Sequence, residues 1–338
     1  MTPATTEQQG PAAAQTARRR VPVPRIRNIA PLIALIVVAV LFASLNGRFL
    51  TVANARSLAA QGALLMVLAT GATFVILLGS IDLSVEGVMG MTSMVVSLLI
   101  ANTRNSISLG FLAVVIALAV GTLAGVINGL GLTLARIPSF MFTLGTWYAA
   151  LGVATVLFGG NTATITSKGF LDLGAPWLGG FPPTVFIALA VAVAGWAVLR
   201  YTKAGRYIRA IGSAEEVVAL SGVPVRRYKI LAFGIAGFTS ALAGVMASAQ
   251  VGNGNVNVGS GMVFTTIAAV VVGGTLLSGG RGGVLHTVVG VLLLTVLGDG
   301  MVLAGVSTYI QESVQGVIVV AAVAAAAWPQ RSRLRIAK

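Results

Sequence analysis

The sequence predicts an all-α, polytopic membrane protein of about ten transmembrane helices, some broken or re-entrant, with both termini on the cytoplasmic side. Three observations carry that expectation. Of 338 residues, 57% are hydrophobic and only 9% charged, whereas a soluble domain of this length needs roughly a quarter charged residues to cover its surface. The apolar residues gather into runs with few or no charges, and a bilayer core of about 30 Å takes about 20 such residues per helix. The basic residues are dense and scarce in alternation, in step with those runs.

Ten runs qualify: 29–45, 58–78, 85–100, 109–134, 140–158, 182–199, 230–249, 262–277, 284–303 and 312–328. Residues 1–27, rich in Ala, Gln, Thr, Pro and Arg, read as a disordered cytoplasmic tail. The first run is long for the apolar core of a signal peptide and no small-x-small cleavage site follows, so it reads as an uncleaved span. The third and eighth runs are short and Gly-rich, as in segments that break where they line a cavity. The membrane domain occupies residues 28–329 and includes a cytoplasmic loop at 200–229; a basic cytoplasmic tail, 330–338, closes the chain.

Orientation follows from retention of Lys and Arg on the cytoplasmic side of short loops. With the N-terminus inside, only Arg48, Arg56, Arg104 and Lys168 of the 22 basic residues fall outside. The formal net charge of +14 is thereby placed beside lipid headgroups, and no nucleic-acid partner is expected. Cysteine is absent, which removes disulfides and thiolate metal sites from the design.

Loop 200–229 is too short for a nucleotide-binding domain, but it spells a helix at 214–221. Ser213 and Glu216 form an S-x-x-E capping box, and Glu215 and Glu216 suit the positive end of the helix dipole. Gly222 fits a left-handed stop and Pro224 prevents continuation. Val217 and Leu220 make an apolar pair on a helix too short to stand alone in water. Two readings are open: it rests on its own spans, or it docks in another protein's groove.

Asp82 lies between two apolar runs, in Gly79-Ser80-Ile81-Asp82-Leu83-Ser84-Val85-Glu86-Gly87. Acids at membrane depth face a cavity or a partner, while an interfacial turn that caps the next helix is the plainer alternative. Gly121, Gly125 and Gly129 repeat every four residues and predict a close helix seam. Asn128, beside that seam, either bonds across helices or reaches a solute. Thr143, Thr146, Trp147 and Tyr148 suit the hydroxyls and C–H faces of a sugar, and equally an interfacial anchor. Asn253, Asn255 and Asn257 read as an external polar turn. His286, the single histidine, reads as a packed residue.

No G-x-x-x-x-G-K-[ST] motif occurs, and the acids near spans are few: Asp82, Glu86, Asp299 and Glu312. Energy is therefore expected from outside the chain.

Several blocks resemble the ribose-type permeases of bacterial ABC importers, the branch that also serves xylose, other monosaccharides, inositol and autoinducer-2. They are Ile81-Asp82-Leu83-Ser84-Val85; Asn128-Gly129, with Arg136-Ile137-Pro138-Ser139-Phe140 and Thr143-Leu144-Gly145-Thr146; Thr202 to Gly212, with Glu216, Leu220-Ser221-Gly222 and Lys229-Ile230; and 268–275, with Ser278-Gly279-Gly280-Arg281-Gly282. The resemblance spans about residues 29–328. It implies a permease subunit of the inner membrane, not itself an enzyme, that translocates a monosaccharide or small polyol by alternating access.

It also implies a second permease copy or homologue, two cytoplasmic ATPase subunits carrying ATP and Mg, and an extracytoplasmic sugar-binding protein; no cofactor belongs to this chain. Helix 214–221 then looks like a coupling helix, with Ser213, Glu215, Glu216, Val217, Leu220 and Gly222 as ATPase-coupling residues. Asp82, Asn128, Thr143 and Trp147 are the expected solute path. Two departures stand out: Gly79-Ser80 where the family has Gly-Gly, and Glu86 inserted before Gly87. An ion-coupled secondary transporter is the alternative.

Overall fold

A computed structural model describes residues 26–327, so the expected tails at 1–27 and 330–338 lie outside the described residues except for Ile26 and Arg27. Among the described residues the fold is all-helical, with no strand beyond two isolated bridges, Asn102 with Ile165 and Thr164 with Asn253. In chain order the helices are α1 (Ile26–Leu45), α2 (Val52–Leu77), α3 (Val85–Leu99), α4 (Phe111–Leu134), α5 (Ser139–Phe158) and α6 (Lys168–Leu171). They continue as α7 (Pro183–Tyr201), α8 (Lys203–Leu220), α9 (Val225–Val251), α10 (Met262–Val272), α11 (Val284–Leu303) and α12 (Thr308–Ala327).

Helices α2, α4, α5, α7, α9 and α11 are each long and apolar enough to cross a membrane, which makes the chain a multi-pass protein. Each of the ten predicted runs coincides with one helix, while α6 and α8 belong to connections. Local chemistry sets several ends. Thr51 Oγ1 accepts from the Asn54 N–H to cap α2, Pro183 opens α7 where no N–H is needed, and Gly159 and Gly252 stop α5 and α9 in left-handed geometry.

Helices α2 and α9 form an antiparallel central pair, mostly buried, whereas α4, α5 and α7 present most of their surface outward. The expected glycine seam joins α4 to α9. A Cβ added at Gly125 would lie 3.0 Å from the Gly237 Cα, and one at Gly129 would lie 2.6 Å from the Ile230 Cα. No side chain fits between these backbones, as close packing of small residues requires.

Helices α3 and α10 are the two short runs: α3 is continuous over its 15 residues, whereas α10 stops short of the run that predicts it. α10 has 11 residues and reaches only about 16 Å, half the hydrocarbon thickness. The stretch before it, 252–261, runs antiparallel along α3: Gly254 packs on Ser97 and Met94, Val256 on Gly90, and Gly259 on Glu86 and Met89. Met262 therefore starts its helix level with the first turn of α3. The turn expected at Asn253, Asn255 and Asn257 is only the start of this descending segment.

Extended backbone between helices must find partners for its N–H groups. Here facing side chains supply them. The Asn255 N–H donates to Ser93 Oγ and the Gly261 N–H to Glu86 Oε2, both across 3.1 Å. Before α3, the Ile81 N–H donates to Ser139 Oγ across 3.1 Å and the Leu83 N–H to Thr143 Oγ1 across 3.0 Å. The two halves correspond: α3 packs on α9, α4 and α5, and α10 packs on α2, α11 and α12.

Candidate solute path and docking helix

Asp82, Asn128 and Thr143 converge at the start of α3. Asp82, 6% exposed, accepts at Oδ1 from the Ser84 N–H at 2.9 Å and from the Ser84 hydroxyl at 2.6 Å. Asn128 Nδ2 donates to Ser84 Oγ at 2.8 Å, and its Oδ1 accepts from the Thr146 hydroxyl at 2.6 Å. The chain Asp82–Ser84–Asn128–Thr146 thus links the segment before α3 to α4 and α5. Asn128, 1% exposed, bonds across helices. Thr143, fully buried, anchors the Leu83 backbone.

Trp147 continues the same wall, one turn beyond Thr143, where Gly87 leaves room for its ring and backbone. It stacks on Tyr148, centroids 5.6 Å apart. Two buried polar atoms here have no partner among the described residues: Asp82 Oδ2, an acceptor, and Trp147 Nε1, a donor. Ser84 was missed by the sequence reading, although Asp82-Leu83-Ser84 spells the spacing at which an Asp side chain bonds the backbone two residues on. Glu86, which the sequence marks as a departure and as one of few acids near a span, sits at the amide end of α10, where the dipole favours a carboxylate. His286 is half-buried against Gly273 and Gly274, a packing position.

The second group lies on α8. This helix starts at Lys203, where Thr202 Oγ1 accepts from the Gly205 N–H, and it breaks at Ala214 (φ −162°, ψ 76°). The expected capping box does not form. The Ser213 hydroxyl donates to the Arg209 carbonyl at 3.0 Å, because the upstream turn supplies an acceptor and the break falls one residue later. The far end is as expected, with Gly222 left-handed at φ +76°.

Beyond the break, Glu215 accepts from Lys229 Nζ of α9 at 2.6 Å, and Val218 packs inward. Val217 and Leu220 point away, 63% and 89% exposed, and Glu216 is exposed beside them. The neighbouring Lys203, Arg206, Arg226 and Arg227 are exposed too, so this apolar pair lies outside the hydrocarbon. The two groups meet through one junction. The Gly280 N–H donates to the Leu77 carbonyl at 2.9 Å, Gly212 of α8 packs on that carbonyl, and Ser213 packs on Gly280.

Comparison with known proteins decides the family. A family described as "Branched-chain amino acid transport system / permease component" matches residues 54–323. The chain belongs to this permease family. The permease is similar to the ribose import permease protein RbsC of Escherichia coli (strain K12), 34% identical over 298 residues, 86% of this chain and 91% of that protein. It is also similar to RbsC of Bacillus subtilis (strain 168), 34% identical over 313 residues, covering 91% of this chain and 96% of the relative. The D-allose transport system permease protein AlsC of E. coli (strain K12) is 31% identical over 292 residues, 86% of the permease and 88% of AlsC. No solved structure matches.

Proposed function

We propose that the permease is the translocating subunit of a bacterial ABC importer for a monosaccharide or similar small polyol, set in the inner membrane. The relatives named for ribose import and D-allose transport support the solute class. The basic census supports ten spans with both termini inside, which makes the α8 side cytoplasmic. Solute crosses by alternating access, with a loaded binding protein docking outside and a second permease copy or homologue completing the path. ATP and Mg reside on ATPase subunits, and ATP does work here only by distinguishing two permease states.

One observation carries the ATP-driven reading: the half of α8 beyond Ala214 presents Val217 and Leu220 to water on a segment too short to be stable alone. An apolar pair held out in this way fits a groove on an ATPase. Ser213, Glu215, Glu216 and Gly222 set the angle of that segment. On the path side, Asp82 and Trp147 offer an unpaired acceptor and donor to a solute hydroxyl, which is both donor and acceptor, while Asn128 and Thr143 hold the wall.

Affinity purification of the permease expressed with its genomic neighbours tests this reading. An ATPase subunit is retained if it holds. A permease that carries solute with no ATPase bound, and stops when an ionophore collapses the ion gradient, is instead the secondary transporter.

A further inference from the structure

A cavity of about 590 Å³ opens between α2, α10, α11 and α12, on the side away from α8. Its counterpart in the other half, between α3, α4 and α5, holds about 610 Å³ and is walled by apolar side chains such as Leu123, Ile127 and Phe142, with Thr146 as its polar exception. The first cavity is different in kind. Gln61, Thr265, Thr295, Asp299 and Gln311 line it above a floor of Leu65. Facing lipid, the hydrogen-bonding capacity those groups have left would go unpaired, so water or a solute fills the space.

The hydrogen bonds already made define what is left to offer. The Thr295 hydroxyl donates to the Val291 carbonyl, that of Thr265 to the Gly261 carbonyl, and Gln311 Nε2 to the Val306 carbonyl. Each has spent a donor and keeps acceptor lone pairs, and the Gln311 amide keeps one N–H besides. Asp299, 7% exposed, accepts at Oδ2 from Asn54 Nδ2 at 2.7 Å, and its Oδ1 has no partner among the described residues. The Gly261 N–H at the start of α10 is already taken by Glu86. No Lys or Arg lines the described walls.

Such a site repels anions. One carboxylate is also too little charge for a hard-cation cage, and no group of three or more His, Cys, Asp or Glu side chains that could hold a metal ion occurs among the described residues. It matches a neutral molecule with several hydroxyl donors, and its volume suits a monosaccharide. We infer that this cavity is a polyol-binding vestibule of the permease, with Asp299 Oδ1 accepting a solute hydroxyl. The inference rests on the permease reading above and adds a site to it.

The absence of cysteine allows a direct test. Thr295→Cys and Thr265→Cys are placed singly in the full chain, assembled with its partners in liposomes, and titrated with membrane-impermeant thiosulfonates. Both thiols are expected to react, with the cationic trimethylammonium reagent about tenfold faster than the anionic sulfonate reagent. Asp299→Asn, which still accepts from Asn54, is expected to bring that ratio close to one. At least one of D-ribose, D-allose, D-xylose and myo-inositol at tens of millimolar is expected to slow the reaction severalfold.

Unreactive thiols, a ratio indifferent to Asp299→Asn, protection by none of the four polyols, or protection by a monovalent salt alone would each overturn the site. If either cysteine chain fails to assemble, the other carries the test; Gly298→Cys, on the same wall, replaces both. Loss of the ATPase subunit from the assembly sinks the parent reading, whereas an ATPase-bearing assembly with unreactive thiols sinks only the vestibule.

Discussion

Gly280 gives its backbone N–H to the carbonyl oxygen of Leu77 across 2.9 Å, and this bond ties the loop between α10 and α11 to the end of α2. Gly212 of α8 closes on the same oxygen, so the end of α2 is touched by two elements at once.

Gly280 is left-handed at φ +74°, and a Cβ there would run into Ser213. Gly280→Ala is expected to cost about 1–3 kcal/mol. The melting temperature in detergent should fall, and uptake should fall further than stability accounts for, because the contact joins α8 to the segment carrying Asp82. Uptake per folded molecule equal to that of the parent chain would show that the junction transmits nothing.

Leu220→Glu places a charge on the exposed apolar pair proposed to dock on an ATPase. ATPase-coupled uptake is expected to vanish while membrane insertion and melting temperature stay unchanged, since Leu220 is 89% exposed and contributes little to the fold. Unaltered uptake by this variant removes α8 as the coupling element.

Asn128→Leu removes both a donor to Ser84 and an acceptor for Thr146. Each lost hydrogen bond costs about 0.5–1.5 kcal/mol, so a drop in melting temperature is expected. Replacing Ser84 and Asn128 together should cost less than the sum of the two single changes, because one bond is shared. A strictly additive cycle would mean that the two side chains do not interact.

Glu86→Gln keeps an acceptor for the Gly261 N–H, whereas Glu86→Ala removes it. The alanine variant is expected to be less stable by about 1 kcal/mol and the glutamine variant to lie between it and the parent. Equal melting temperatures for all three chains would deny Glu86 its capping role.

The helices were legible because their cause is local: a lipid solvent forces apolar runs, and each run is a helix. The glycine seam was legible for the same reason, since the four-residue spacing of Gly121, Gly125 and Gly129 puts them on one face. The descent of 252–261 was not, because nothing in Asn253 to Gly261 says that its N–H groups will find Ser93 and Glu86, 162 and 175 residues away. The capping box misled because S-x-x-E ignores competition: Ser213 had an acceptor behind it, in the turn ending at Arg209. Asp82, Asn128 and Thr143 were singled out one by one, but their union through Ser84 and Leu83 needed three-dimensional proximity.

The glycine seam also has a mechanical meaning. Gly125→Leu should prise α4 from α9, costing about 3 kcal/mol and lowering the yield of folded protein. With backbones in contact at Gly125 and Gly129, α4 and α9 cannot slide without losing that close packing, and the pair forms a girder. What packs beside that girder is different: the segments leading into α3 and α10 are held by the side chains of Ser93, Ser139, Thr143 and Glu86. The backbone amides of the molecule are therefore paired in two ways, by backbone along the girder and by side chains where the chain enters its two short helices.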